Sequence, residues 1–285
     1  MGQIPLVTLT TDFGTADGYV GTMKGVILGI APIAQLVDIS HEIAPQDVRQ
    51  AAYVLYTAYP FFPPHTVHLV VVDPGVGGAR RAIALRTPKG CFVGPDNGVF
   101  SYVMACEQVE ALVELAIPRY RLPQVSHTFH GRDVFAPAAA HLAAGIPITT
   151  LGPPVRDPAT FPPPRLEITG DSITGEVLHA DRFGNVITSI GLLVWSGDEL
   201  SLAPAFQQAV DGVEKEQMRF KVGEATVVMA GQEIAGVDRT YAEVEPGETL
   251  ALVGSEGHLE IAVREGNAAK RLGLHPGDVV TLRLR

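Results

Sequence analysis

The sequence predicts an α/β N-terminal domain with a mostly parallel sheet flanked by helices, followed by an all-β C-terminal domain built as a small barrel or sandwich. Three observations lead there. Strand-like and helix-like runs alternate up to Leu151; six prolines crowd Leu151–Pro164; beyond them only short strand-like runs separated by turn residues follow. Alternation of this kind gives parallel strands with helical crossovers, and a proline cluster reads as an extended connection. The domains are therefore expected at 1–152 and 169–285, joined by a linker at 153–168.

Ile4–Thr10 is β-rich and ends in the polar cluster Thr11-Asp12-Phe13-Gly14. From Tyr19, apolar residues recur at Val20, Met23, Val26, Ile27 and Ile30, a helical spacing. Gln35–Ile39 reads as a second strand. Pro45 is suited to be the first residue of a helix reaching Tyr59, with Val48, Ala51, Ala52 and Leu55 inward. Thr66–Val72 is almost continuously apolar, as a strand covered on both faces must be. Strands at Ala82–Arg86 and Cys91–Val93 follow, then helices near Val99–Cys106 and Val134–Ala144. In the second half, strands are expected at Gly175–Ala180, Asn185–Ile190, Ala225–Ala230, Thr249–Val253, His258–Val263 and Asp278–Leu284.

Bulk properties exclude several classes. The 285 residues are 46% hydrophobic, enough to fill real cores. The net charge is −10, from 21 basic and 31 acidic residues, with no basic run, so neither a nucleic-acid backbone nor an anionic membrane is an expected partner. Cys91 and Cys106 are isolated and apolar in setting, which argues for buried thiols over a zinc site or a disulfide framework. Met1–Leu9 lacks the pattern of a signal peptide, and no apolar run approaches the ~20 residues of a membrane span. A cytoplasmic protein is expected.

Ligands of open α/β sheets bind beyond the carboxyl ends of the strands. Asp12 and Asp73 fall at such ends. Asp73 opens the loop Asp73-Pro74-Gly75-Val76-Gly77-Gly78, closed by Arg80 and Arg81, which reads either as a shaped loop whose glycines let backbone approach a ligand or as a tight turn with surface charges. In Phe129-His130-Gly131-Arg132-Asp133, Asp133 is suited to cap the following helix, Arg132 to pair with a carboxylate, and His130 sits in a Gly-flanked polar turn. Pro95-Asp96-Asn97-Gly98 has the composition of a plain turn. Asp181-Arg182-Phe183-Gly184-Asn185 fits a bulged hairpin, or a carboxylate, aromatic face and carboxamide facing an amine and a purine. Ser255-Glu256-Gly257 and Gly266-Asn267-Ala268-Ala269 read as loops.

Together and in order, these segments resemble the S-adenosylmethionine (SAM) hydrolase family, also called SAM hydroxide adenosyltransferases, whose relatives include fluorinase and chlorinase. The matching pieces include Thr11-Asp12-Phe13-Gly14, Tyr19-Val20-Gly21 with Met23-Lys24-Gly25, Val72-Asp73-Pro74-Gly75-Val76-Gly77 with Arg80, Gly94-Pro95-Asp96-Asn97-Gly98 and Phe129-His130-Gly131-Arg132-Asp133. In the second half they include Asp181, Phe183-Gly184-Asn185, Thr240-Tyr241-Ala242 and Gly266-Asn267-Ala268-Ala269. The resemblance implies hydrolysis of SAM to adenosine and L-methionine, with no metal or other cofactor. It further implies a homotrimer with sites between one subunit's N-terminal domain and its neighbour's C-terminal domain. By the same resemblance, Asp73, Arg80 and His130 surround the attacking water and Asp12 binds the ribose hydroxyls. Asp181 meets the methionine ammonium, and Ser255 its carboxylate. Asn185 and the backbone of Ala268 meet the adenine edge, with Phe183 and Tyr241 as aromatic walls, and Asn267 is a further substrate-binding residue. Glu256 departs from the fluorinase pattern, which has arginine there.

Three other functions compete. Halogenating relatives carry tyrosine where this chain has Asp73, threonine at Val76 and tryptophan at Gln46, so halide transfer is disfavoured. A phosphohydrolase would use Asp12, Asp73, Asp96 and His130 as ligands of a divalent metal. A SAM or nucleoside sensor would use the same pocket without turnover.

Overall fold

A computed structural model of the chain describes residues 4–206 and 218–284. It divides into two compact units, Met1–Phe161 and Pro162–Arg285.

The first unit is a six-stranded sheet covered on both faces. Its elements are β1 (Leu6–Thr11), α1 (Tyr19–Ile30), β2 (Gln35–Ser40), α2 (Val48–Ala58), β3 (Thr66–Val71), β4 (Ala82–Thr87), β5 (Gly90–Pro95), α3 (Ser101–Cys106), β6 (Ala111–Glu114) and α4 (Ala136–Ala143). The strand order is β2-β1-β3-β5-β4-β6; β2, β1, β3 and β5 pair in parallel, and β4 alone is reversed, pairing antiparallel with both β5 and β6. The sheet is thus mostly parallel but mixed. Only two residues separate β4 from β5, and so short a link permits a hairpin and no crossover.

The period-2 geometry of strands splits the apolar residues between two cores. Val67, Leu69 and Val71 of β3 join Met23 and Ile27 of α1 and Ala139 of α4 on one face. Val70 joins Ala51 and Leu55 of α2 and Val103 of α3 on the other. His68 belongs to that second face: it is fully buried, its Nδ1 lies 2.9 Å from Thr8 Oγ1, and its ring stacks on Phe92. Burial pushes its pKa down to about 3, so it is a neutral core residue.

Two boundaries differ from expectation for local reasons. Helix α2 starts at Val48 and not at Pro45, because Asp47 accepts from Gln50 N at 2.9 Å and caps it. The expected helix at Val134–Ala144 is α4 preceded by a wider π turn at Gly131–Phe135. The proline-rich segment begins as a strap laid along the first unit. Val155 N donates to Leu112 O, Ala159 N to Asp96 Oδ1 and Phe161 N to Ser101 Oγ, while Arg81 clamps both Asp96 and Asp157.

The second unit is antiparallel. Its elements are β7 (Leu166–Thr169), β8 (Ser172–Ala180), β9 (Val186–Thr188), β10 (Leu193–Ser196), β11 (Glu199–Leu202), β12 (Met218–Lys221), β13 (Ala225–Met229), β14 (Gln232–Ala235), β15 (Thr249–Val253), β16 (Leu259–Val263), α5 (Ala268–Leu272) and β17 (Val279–Leu284). Eight strands run in the order β14-β13-β17-β8-β9-β16-β15, with β7 also on β8. A bridge between Asp238, just past β14, and Leu252 of β15 draws the two ends of this sheet together, so it is nearly a closed barrel. Ile173, Val227, Leu259, Ile261, Val280 and Leu282 fill it, and the separate meander β10–β12 adds Leu200, Leu202 and Phe220 to the same core. Among the described residues no helix is long and apolar enough to cross a membrane.

The strap depends on one carboxylate. Asp96→Ala removes the charge that holds both Arg81 and the Ala159 N–H, and is expected to lower the unfolding free energy by about 1.5–3 kcal/mol in urea titration followed by tryptophan-independent circular dichroism.

Candidate active site

Parallel pairing of β1 with β3 sets Thr11 opposite Val71. Each strand ends there, so Asp12 and the Val72-Asp73 turn emerge at one edge of the sheet. They line a cleft of about 290 Å³ with Phe13, Gln46, Val76, Thr128, Phe129 and His130. Two of its lining rings, Phe13 and Phe129, cluster with Tyr19 at centroid distances of 5.2–5.8 Å, Phe129 lying edge to face with both of the others.

Arg80 organises the cleft's charged end. Its Nε lies 2.9 Å from Asp73 Oδ1 and 3.1 Å from Oδ2, and its Nη2 also donates to Oδ2. The same Nη2 lies 2.8 Å from His130 Nδ1. Both partners of the ion pair are withdrawn from water, with side chains 11% and 6% exposed, and the guanidinium carbon sits 5.2 Å from the centre of the Phe135 ring. Arg81 points elsewhere, to Asp96 and Asp157. Of the two neighbouring arginines, Arg80 is therefore the one that joins Asp73 and His130.

This contact fixes the state of His130. Arginine only donates hydrogen bonds, so Nδ1 must accept, and the neutral imidazole then carries its proton on Nε2. Burial, followed by the positive charge of Arg80, holds the His130 pKa below its ordinary value of 6.5.

Two loops shape the wall. In the Asp73 loop, Val76 N donates to Asp73 O and Gly78 N to Gly75 O. Gly77 has φ +76°, and a Cβ there would lie 2.3 Å from His127 O, so only glycine lets this loop rest against the one carrying His130. That second loop is tied by Asp133, which is fully buried. It does not cap α4 as expected; it accepts from Ser126 N at 2.8 Å and from both Arg132 Nε and Nη2. Burial would raise its pKa, but the Arg132 fork and the Ser126 N–H outweigh this and hold it low. Asp12 accepts from Gln46 N at 2.8 Å through Oδ2, and its Oδ1 has no bond among the described residues. Asp96 faces Arg81 and the strap, so the metal set of Asp12, Asp73, Asp96 and His130 is not brought together. Among the described residues, no three His, Cys, Asp or Glu side chains are grouped to hold a metal.

The remaining candidates gather in the second unit. Asp181, Phe183, Asn185, Tyr241, Ser255 and Asn267 line a cleft of about 870 Å³. Asp181 Oδ1 accepts from Phe183 N and Asn185 N, and Oδ2 from Asn185 Nδ2, a compact turn between β8 and β9. Gly184 has φ +89°, and a Cβ there would overlap the Asn267 carboxamide at 2.0 Å. Asn267 itself caps α5 by accepting from Lys270 N, and Ala268 is the buried first residue of that helix. Phe183 is 75% and Tyr241 41% exposed, leaving two aromatic faces open. Glu256 lies outside the lining, with Ser255 Oγ 3.3 Å from its carboxylate.

One lining residue escaped the sequence reading. Glu260 of β16 is 7% exposed and accepts the Tyr241 hydroxyl at 2.5 Å. Its signal was a lone carboxylate in the otherwise apolar run Leu259–Val263. Burial and the nearby Asp181 raise its pKa, opposed by the Tyr241 hydroxyl.

Comparison with known proteins agrees with this division. Residues 7–152 match the SAM hydroxide adenosyltransferase N-terminal domain and residues 175–281 the corresponding C-terminal domain. An (R)-S-adenosyl-L-methionine hydrolase from Salinispora tropica is 41% identical, covering 98% of this chain and 97% of its own length. A fluorinase from Nocardia brasiliensis is 25% identical over 99% of this chain and 98% of its own. The crystal structure of an uncharacterized conserved protein from Thermotoga maritima superposes with a TM-score of 0.82 at 36% identity, covering 98% of this chain and 99% of that one.

Because folding disfavours protonation of His130, its contribution to stability is present above pH 6.5 and is lost as pH falls below that value. Nitrogen-15 NMR of the imidazole is expected to show a proton on Nε2, a bare Nδ1 and a titration midpoint below 6.5. A midpoint at or above that value contradicts the Arg80 contact.

Proposed function

The chain belongs to the SAM hydroxide adenosyltransferase family, and from that premise we propose that it hydrolyses SAM to adenosine and L-methionine. The observation that carries the reading is the joining of Asp73 and His130 by one guanidinium at the mouth of a cleft that also holds Asp12.

The chemistry needs few parts. In SAM the leaving group is a sulfonium, which departs as a neutral thioether and requires no general acid. Water attacks C5′, the C5′–S electron pair goes to sulfur, and one proton is released per turnover. Positioning a water in line with that bond can supply up to about 7–11 kcal/mol of the barrier. His130, with Nδ1 engaged by Arg80, offers its Nε2–H to the water oxygen as a donor. Asp73, held in place by Arg80, keeps lone pairs that accept from the water's hydrogens and receive the proton as the bond forms. Asp12 accepts from the ribose hydroxyls through the oxygen not used by Gln46.

Hydrolysis fits better than halide transfer. Asp73, Val76 and Gln46 line the cleft at the positions where the halogenating pattern differs. A carboxylate's lone pairs bind water well and offer a halide nothing. The Salinispora relative's name specifies the (R) sulfonium, and we assign the same epimer to this chain.

The second cleft takes the rest of the substrate: Asp181 the ammonium, Ser255 the carboxylate, Asn185 and Ala268 the adenine edge, and Phe183 and Tyr241 its faces. Candidate residues thus fall in two clefts, one per unit, and a cytoplasmic homotrimer in which neighbouring subunits each contribute one cleft accounts for both. A chain that sediments as a monomer at assay concentration and is fully active contradicts the shared site.

Incubation with SAM in ¹⁸O-water is expected to give labelled adenosine, methionine and no S-adenosylhomocysteine. Asp73→Asn and His130→Ala are expected to lower kcat by about 10²-fold or more while SAM still binds. Asp12→Asn is expected to act on KM, by about 1–2 kcal/mol, since its ribose contacts precede the reaction. Steady-state kinetics with both epimers separates these outcomes. Near-normal kcat in Asp73→Asn and His130→Ala would place the water elsewhere.

A further inference from the structure

Glu260 has no part in the chemistry above, yet its surroundings are those of a ligand-binding group. A glutamate 7% exposed normally lies beside a cation that neutralises it. Here the only bond it receives among the described residues is the Tyr241 hydroxyl at Oε1, and Oε2 accepts none. Both residues line the second cleft, as does Asp181. Burial and the Asp181 charge both act against an ionised Glu260, so a positive group brought into this cleft would stabilise its carboxylate.

The cations near this cleft are directed elsewhere. Arg239 lies 4.1 Å over the Trp195 ring and donates to Gly197 O. Arg264 donates to Val244 O and lies 3.9 Å from Glu265. The alternation of β16 explains how Glu260 comes to face the cleft. Leu259, Ile261 and Val263 point into the barrel core, which leaves Glu260 and Ala262 on the opposite face. That face is where Tyr241 stands.

We propose that Glu260 is a second carboxylate of the ammonium subsite, acting with Asp181, so that this enzyme selects its substrate chiefly by the positive charge of the α-amino group. The inference rests on the reading that this cleft receives the methionine end of SAM. Two carboxylates sharing one ammonium satisfy two of its three N–H donors, and the ligand's charge removes the repulsion between them. Tyr241 then has two roles: an aromatic face toward the cleft, and a hydroxyl that fixes the Glu260 rotamer. The substrate's own carboxylate meets only the neutral Ser255 hydroxyl and backbone, so it contributes less to selection.

Calorimetry on the adenosine-saturated protein tests this without turnover, using L-methionine and 4-(methylthio)butanoate, which lacks the amino group. The wild type is expected to bind methionine at least about 10-fold more tightly than the deaminated acid. Glu260→Gln keeps the side-chain size and still accepts the Tyr241 hydroxyl, so the fold is retained. It is expected to weaken methionine about 10-fold or more and to leave the deaminated acid unchanged or slightly tighter. If the wild type discriminates and Glu260→Gln discriminates equally, Glu260 is not part of the subsite and the proposal falls while the cleft assignment stands. If the wild type itself does not discriminate, the assignment of this cleft to the methionine ammonium is wrong, and the proposal falls with it.

Discussion

The parallel pairing of β1 with β3 is the constraint on which the first unit's chemistry depends. Parallel strands deliver their carboxyl ends to the same edge, and the register Thr11 to Val71 brings two carboxylates out side by side. A single-residue slip would turn Val7 and Leu9 off the core they share with Met23 and Ile27. The requirement to bury those side chains therefore fixes where Asp12 and Asp73 stand. Function here inherits its precision from packing.

Arg80 then converts position into chemical state. It is a donor on every nitrogen, so whatever it touches must accept. Asp73 does so through both carboxyl oxygens, and His130 can do so only through a bare Nδ1. One guanidinium thereby fixes the orientation of one neighbour and the tautomer of the other. Gly77 and Asp133 serve that contact from behind, one by letting two loops touch and the other by tying the second loop to Ser126 and Arg132.

Much of this was legible in the residues. The runs at Thr66–Val72, Thr249–Val253 and Asp278–Leu284 lie within a residue of β3, β15 and β17, because long apolar or alternating runs bounded by turn residues leave little choice. The polar clusters at strand ends located both clefts. What stayed hidden has physical reasons. The strands β10–β12 and β14 are only four residues long and do not sustain a pattern. The start of α2 is set by the Asp47 cap, and Gln46 just before it is held by Asp12, a contact between residues 34 apart in sequence. Glu260 reads as an ordinary strand charge until Tyr241 is seen beside it, and Arg80 cannot be told from Arg81 without the direction of the Asp73 loop.

The Asp12–Gln46 bond has an entropic side. Gln46 sits at φ +69°, a region that holds a non-glycine residue at a cost of about 1–3 kcal/mol. In return the Asp12 side chain is already immobilised before any ligand arrives, and ordering such a side chain on association would otherwise cost about 0.5–1.5 kcal/mol. The fold has thus moved part of the ordering penalty of any later association to the folding of the chain itself. The readiness of this carboxylate is, in this respect, a property acquired at folding.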